Sequence, residues 1–162
     1  MILIALGSNQ SGPWGNPADT VAWALLCLNR DGLRLRAASR LLTSAPYGKT
    51  DQPPFVNAVA LVETHLPPLA LLHKLHAIEH RAGRRRIRHW GPRTLDLDLL
   101  DYHGLVSARH QRPVLPHPGI AERIFVLKPL AEIAPRWKHP RLRLPASLLL
   151  RRLDPHGEGA EI

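Results

Sequence analysis

The sequence predicts an α+β fold, a ferredoxin-like βαββαβ sandwich with a largely antiparallel sheet and helices packed on one face. Three observations lead there. Apolar residues recur at helical spacing in two stretches, near 17–30 and 68–82. Strand-like segments surround them in the order β-α-β-β-α-β. Leu95-Asp96-Leu97-Asp98-Leu99 has a strict period of two, which a strand turns into an apolar face and an acidic face. No repeat, low-complexity block or linker interrupts the 162 residues. Residues 1–150 are therefore read as one domain, with 151–162 as a flexible tail.

Each element has a local reason. Residues 2–6 are an apolar run fit for a buried first strand. Asn16-Pro17 with Asp19 supplies an N-cap, a proline at the first helical position and an acid in the first turn. That helix is expected to reach about Arg30, presenting Val21, Ala24, Leu25 and Leu28, with Gly32 in the left-handed position beyond its end. Residues 33–43 read as one strand, 46–54 as a loop and 55–63 as the next strand. Pro67-Pro68 opens a helix whose stripe is Leu69, Leu72, Leu75, Ile78 and Ala82, and Gly83 closes it. Residues 121–131 are expected to hold a short helix.

Composition narrows the function classes. No apolar run approaches the ~20 residues of a membrane span. The N-terminus reaches Gly7-Ser8-Asn9 too early for a signal peptide, so a cytoplasmic protein is expected. A single cysteine, Cys27, excludes an internal disulfide and a cysteine zinc cluster. The net charge of +9 fits an arginine-rich solvated surface, a small polyanion or nucleic acid, and does not separate them.

The run from Arg84 to Asp98 carries most of the chemistry. Five arginines, at 84, 85, 86, 88 and 93, precede two carboxylates that share one strand face about 6.6 Å apart. Such a pair suits one or two hard cations such as Mg²⁺, and the arginines suit phosphate oxygens. The plainer alternative is a solvated basic loop whose arginines pair with exposed strand acids. Removing either carboxylate is expected to relieve repulsion. Gly83 and Gly91 bracket the run, so a loop over residues 84–90 that orders on ligand is expected. His73, His76 and His80 share one side of the second helix, as surface histidines or part of a zinc site. His117, stiffened between Pro116 and Pro118, is either a phosphate ligand or a packed loop residue. Phe55 and Phe125 are core residues or, with Asn57 beside Phe55, a clamp for a flat heterocycle.

Together these segments resemble the 6-hydroxymethyl-7,8-dihydropterin pyrophosphokinases of folate biosynthesis, over residues 2–135. The strongest element is His89-Trp90-Gly91-Pro92-Arg93-Thr94-Leu95-Asp96-Leu97-Asp98-Leu99-Leu100. Supporting elements are Ala5-Leu6-Gly7-Ser8-Asn9, Asp51-Gln52-Pro53-Pro54-Phe55-Val56-Asn57-Ala58, Glu79 with Gly83-Arg84, and Pro116-His117-Pro118 followed by Glu122 to Leu127. The resemblance implies an Mg-dependent enzyme that transfers pyrophosphate from ATP to the pterin hydroxymethyl group and releases AMP. It implies two Mg²⁺ ions on Asp96 and Asp98, and catalytic roles for Arg84, Arg93, Asp98 and His117. The ATP side would comprise Glu79, Arg84, Trp90, Arg93, Arg112, His117 and Arg123. The pterin side would comprise Ser44, Ala45, Tyr47, Phe55, Asn57 and Phe125. Neither nucleic acid, nor membrane, nor an obligate protein partner is expected. The chain departs from the family pattern at Ser44-Ala45-Pro46, in the loop from Gln10 to Asn16, and in a shortened arginine loop, so Arg86 and Arg88 take no role from it. The rival classes are a basic RNA-docking module, disfavoured by 5% aromatics and two acids on the strand face, and a regulator that keeps the pocket without turnover.

Overall fold

The computed structural model describes residues 1–45, 51–84 and 93–157. In chain order the elements are β1 (Ile2–Ser8), α1 (Pro17–Cys27), β2 (Leu33–Ala38), β3 (Leu42–Ser44), β4 (Phe55–Thr64), α2 (Pro68–Arg81), β5 (Asp96–Tyr102), a 3₁₀ turn (Ile120–Glu122), α3 (Ile124–Ile133) and α4 (Ala146–Leu153). The sheet runs β2-β4-β1-β5, with β3 also paired to β4, and every pairing is antiparallel. This is the expected βαββαβ order with β5 on an edge.

The start of α1 forms as its residues dictate. The Asn16 side chain accepts from the Asp19 N–H at 2.9 Å, and the Asp19 carboxylate accepts from the Asn16 N–H at 3.3 Å. That reciprocal pair satisfies two of the donors a helix leaves open. Gly32 and Gly83 take positive φ beyond α1 and α2, as their positions suggested.

Four expectations need amending. The strand expected over 33–43 is two strands, because the Ser39 hydroxyl, not a backbone carbonyl, accepts the Val59 N–H at 2.9 Å. The ladder breaks there, after a register shift between Leu35 and Ala37. In α2 the buried residues are Leu71, Leu75, Ile78 and Glu79, while Leu69 is 46% exposed and Leu72 faces a cavity. The helix is therefore turned relative to the expected stripe, with a carboxylate on its inner side. In α1 the inner residues are Thr20, Val21, Ala24 and Cys27, with Leu28 buried at the cap and Leu25 only half-buried. At the C-terminus, Arg151–Leu153 form the last turn of α4, so the helix continues where a tail was expected.

The helices occupy more than one face. On the first, α1 and α2 pack as expected, through Val21, Ala24, Leu71, Leu75 and Ile78, on Ile2, Ile4, Leu6, Leu97 and Leu99. The opposite face is covered as well. There α3 and the segment through α4 bring Val126, Leu127, Leu130, Trp137 and Leu149 onto Leu3, Val59 and Leu100. The chain thus builds three layers, which gives both sides of the central strand β1 something to bury against.

One hydrogen bond fastens the third layer. Trp137 Nε1 donates to Asp101 Oδ2 at 2.7 Å, both residues being buried, and Asp101 Oδ1 accepts from the Gly104 N–H at 2.9 Å. Trp137→Phe keeps the ring but leaves a buried carboxylate oxygen without its donor. It should lower unfolding free energy by about 1–3 kcal/mol in urea titration. Unchanged stability would show that water replaces the indole.

No helix among the described residues is long and apolar enough to cross a membrane.

Candidate active site

The α3 layer covers only part of its sheet face. At the other end of that face the cross-strand partners are Asp96–Gly7–Asn57 and, one row deeper, Asp98–Ala5–Val59. The middle strand contributes only glycine and alanine, so a recess opens between side chains of its neighbours. A Cβ at Gly7 would stand 3.3 Å from Asn57 Oδ1 and 3.7 Å from Phe55 Cδ1, filling the floor. The resulting cavity measures about 520 Å³, within the range of small-molecule sites.

Its β5 side is ionic. Leu95, Leu97 and Leu99 are buried toward α1 and α2, so Asp96 and Asp98 share the cavity face, as the alternation predicted. Asp96 is held by two arginines: Arg84 Nη1 lies 2.5 Å from Oδ1 and Arg93 Nη1 lies 2.7 Å from Oδ2. Burial alone would push its carboxyl up, but the two guanidinium groups outweigh that and hold it below the usual carboxylate range. Asp98 is different. Among the described residues, the Arg123 guanidinium stands off at 3.9 Å from it, as does the neutral His117 ring through Nε2. Burial, reinforced by the charge of Asp96, pushes the Asp98 carboxyl up to about 7.

Glu79 has a role the sequence did not reveal. It accepts from Arg84 at 2.6 Å and from the Leu97 N–H at 2.8 Å. Leu97 lies between the two aspartates on an edge strand, where an outward N–H has no ladder partner. Glu79 supplies one, fixing both Arg84 and the strand that carries the acids. The Glu at this α2 position was visible as a motif residue, but only burial shows what it holds.

His117 and Arg123 follow from one tight turn. His117 Nδ1 accepts the Gly119 N–H at 3.1 Å, which places the proton of a neutral ring on Nε2, toward Asp98. Burial and then the Arg123 charge push its pKa down to about 4. The Arg123 guanidinium passes so near Gly119 that a Cβ there would lie 2.6 Å from Nε. Arg112 also lines the cavity, on the loop before His117.

The other end is apolar and amide-lined. Ser44 pairs with Phe55 across β3 and β4, and its hydroxyl oxygen accepts from Asn57 Nδ2 at 2.6 Å. That bond orients the Asn57 amide, with its oxygen as the acceptor offered to a ligand. Phe55, from the start of β4, and Phe125, from the first turn of α3, both line the cavity, as does Ala45. The cavity thus gathers every described residue expected in the site; Tyr47 and Trp90 lie outside the described residues, as does the segment 85–90 expected to order on ligand.

A model of the family 7,8-dihydro-6-hydroxymethylpterin-pyrophosphokinase matches residues 3–135. This chain belongs to that family. Pyrophosphokinase relatives support the assignment: the 2-amino-4-hydroxy-6-hydroxymethyldihydropteridine pyrophosphokinase of Haemophilus influenzae is 44% identical over 132 residues, 81% of this chain and 79% of that one. The enzyme of the same name from Pseudomonas aeruginosa is 45% identical over 140 residues, 86% of this chain and 83% of that one. In fold, the chain resembles a Plasmodium falciparum HPPK-DHPS crystal structure with TM-score 0.68 and 15% identity, covering 93% of this chain. It spans 43% of that longer chain, so this likeness concerns the pyrophosphokinase fold alone.

The sequence reading left some residues unassigned. His73, His76 and His80 are all exposed on α2, and His76 also lines the cavity. Among the described residues no group of three or more His, Cys, Asp or Glu side chains is gathered as for a metal ion. Asn9 and Gln52, quoted only as motif members, are buried against both ends of the site.

Proposed function

We infer that this chain transfers the β,γ-pyrophosphate of ATP to the hydroxymethyl group of 6-hydroxymethyl-7,8-dihydropterin, releasing AMP, as a step in folate biosynthesis. The observation that carries this reading is one cavity with two chemically distinct ends. A carboxylate pair amid arginines and histidine lies at one end, and an amide with two phenylalanines at the other. In the reaction the hydroxymethyl oxygen forms a bond to the β-phosphorus, the bond from that phosphorus to the AMP oxygen breaks, and AMP carries away the electron pair.

Asp96 and Asp98 fit Mg²⁺, two ions in this proposal. They are hard oxygen donors on one face, with room for phosphate oxygens to complete the coordination. Burial first, and then the Asp96 charge, disfavour the ionised Asp98 carboxylate, and a bound divalent cation would favour it. When bound, the metal neutralises triphosphate charge as it shifts toward the departing oxygen. Arg84, Arg93 and Arg123 supply fixed cations for the same oxygens. His117, neutral at pH 7, offers its Nε2–H as a donor without adding charge. Arg112 lies with the ATP group, to which we also assign Trp90. Asn57, Ser44, Phe55, Phe125, Ala45 and Tyr47 form the proposed pterin group, the rings stacking on the flat heterocycle. Use of ATP favours the cytoplasm as the compartment.

The test is turnover: AMP should appear from MgATP only when the reduced hydroxymethylpterin is supplied. ATP breakdown independent of the pterin would remove the proposal.

Two further outcomes are expected. Phe125→Ala should weaken pterin binding about tenfold, the scale of one lost stacking contact, and leave MgATP affinity intact. Equal losses for both ligands in calorimetry would assign Phe125 to the core. Mg²⁺ uptake should release protons below pH 7, because the metal takes only the ionised Asp98 carboxylate. Calorimetry in two buffers of different ionisation heat should give about one proton per protein at pH 6 and almost none at pH 9. Proton release that does not vary with pH would contradict the Asp98 assignment.

A further inference from the structure

We propose that Asn9 is a positioning residue that ties the pterin end of the cavity to the phosphate end. It lies just past β1 and is 2% exposed. Its backbone N–H donates to the Arg93 carbonyl at 3.0 Å, and its Oδ1 accepts from the Arg93 N–H at 2.8 Å. On the other side, its Nδ2 donates to Gln52 Oε1 at 3.2 Å and to the Pro53 carbonyl at 3.1 Å. One buried amide therefore joins two chain segments forty residues apart.

What those segments carry gives the link its meaning. Pro53 stands two residues before Phe55, at the pterin end. Arg93 stands three before Asp96 and grips that carboxylate with its own guanidinium. A ligand that settles against Phe55 and fixes residues 52–53 thereby fixes the backbone of Arg93, and the reverse holds with equal strength because coupling between sites is reciprocal. Only an amide serves both sides. The Arg93 N–H needs an acceptor and the Pro53 carbonyl needs a donor, so a carboxylate keeps the first contact and loses the second. Losing that donor removes one of the two bonds by which Asn9 holds the 52–53 segment.

The proposal rests on the two-ended reading of the cavity, and the experiment separates the two. The probes are MgATP and 6-methyl-7,8-dihydropterin, which lacks the hydroxyl and cannot accept pyrophosphate. Calorimetry gives each affinity alone and with the other ligand saturating, in the wild type, Asn9→Asp and Gln52→Ala. In the wild type each ligand should raise the affinity of the other by roughly fivefold or more. In Asn9→Asp each ligand should still bind alone and the enhancement should vanish, with Gln52→Ala intermediate. If Asn9→Asp fails to fold, Gln52→Ala decides by the same criterion. A residue that merely stabilised the fold would lower both affinities and leave their ratio unchanged. Absence of enhancement in the wild type, or full enhancement in the variants, overturns the role of Asn9. A wild type that binds neither probe overturns the function proposal itself.

Discussion

Asp98→Asn is expected to lower turnover by ~10²-fold or more while making the metal-free protein more stable. The sign follows from the carboxyl's two environments. In the folded protein its pKa is about 7, against 3.8 for the free group, so between those values the native state holds the extra proton. Between pH 4 and 7 the unfolded chain loses this proton while the buried carboxyl keeps it, so stability falls as pH rises toward 7. The asparagine removes that loss. Urea titrations of metal-free protein should therefore give nearly equal stabilities for wild type and variant at pH 4. At pH 8 the variant should be the more stable. Near-normal turnover at saturating Mg²⁺ would contradict the metal role, and a destabilised variant at pH 8 would contradict the electrostatics.

Asp96→Ala should behave oppositely in stability while losing turnover to a similar degree. Removing Asp96 leaves Arg84 and Arg93 facing each other at the β5 edge without the carboxylate that now separates them. Breaking such a buried pair is expected to cost about 3 kcal/mol, the low end for this change because Arg84 keeps Glu79. The sequence alone gave the two acids one shared expectation, that losing either relieves repulsion. The structure divides them: Asp96 is gripped by Arg84 and Arg93 at 2.5 and 2.7 Å, whereas buried Asp98 has Arg123 only at 3.9 Å. Equal stabilities for Asp96→Ala and Asp98→Asn at pH 8 would show that the arginines do not discriminate between the acids.

Much of the fold was legible because its signals are local. The capped start of α1, the alternation of β5 and the positive-φ glycines after α1 and α2 each depend on a few neighbouring residues. The break at Ser39 was not legible, because it depends on Val59, twenty residues away, donating its N–H to a hydroxyl in place of a carbonyl. The third layer escaped for a related reason. Residues 136–153 intersperse their apolar residues with prolines and basic residues, and Trp137 and Leu149 find their places against β5 and α3 through contacts no spacing rule encodes.

The candidate site was legible by residue type and largely illegible by role. Paired aspartates, an arginine cluster and a proline-held histidine announce anionic chemistry wherever they fold together. That Glu79 caps the edge amide of Leu97, or that Asn9 holds two segments, is a fact about which donors remain unpaired in three dimensions.

The central claim is that a pyrophosphoryl group, not a single phosphoryl group, leaves ATP. ATP carrying radiophosphorus at the β-position, incubated with Mg²⁺ and 6-hydroxymethyl-7,8-dihydropterin, tests it directly when the products are separated and counted. The label should move entirely to the pterin, as its diphosphate, and the AMP should be unlabelled. Label recovered in ADP beside a pterin monophosphate would contradict attack at the β-phosphorus.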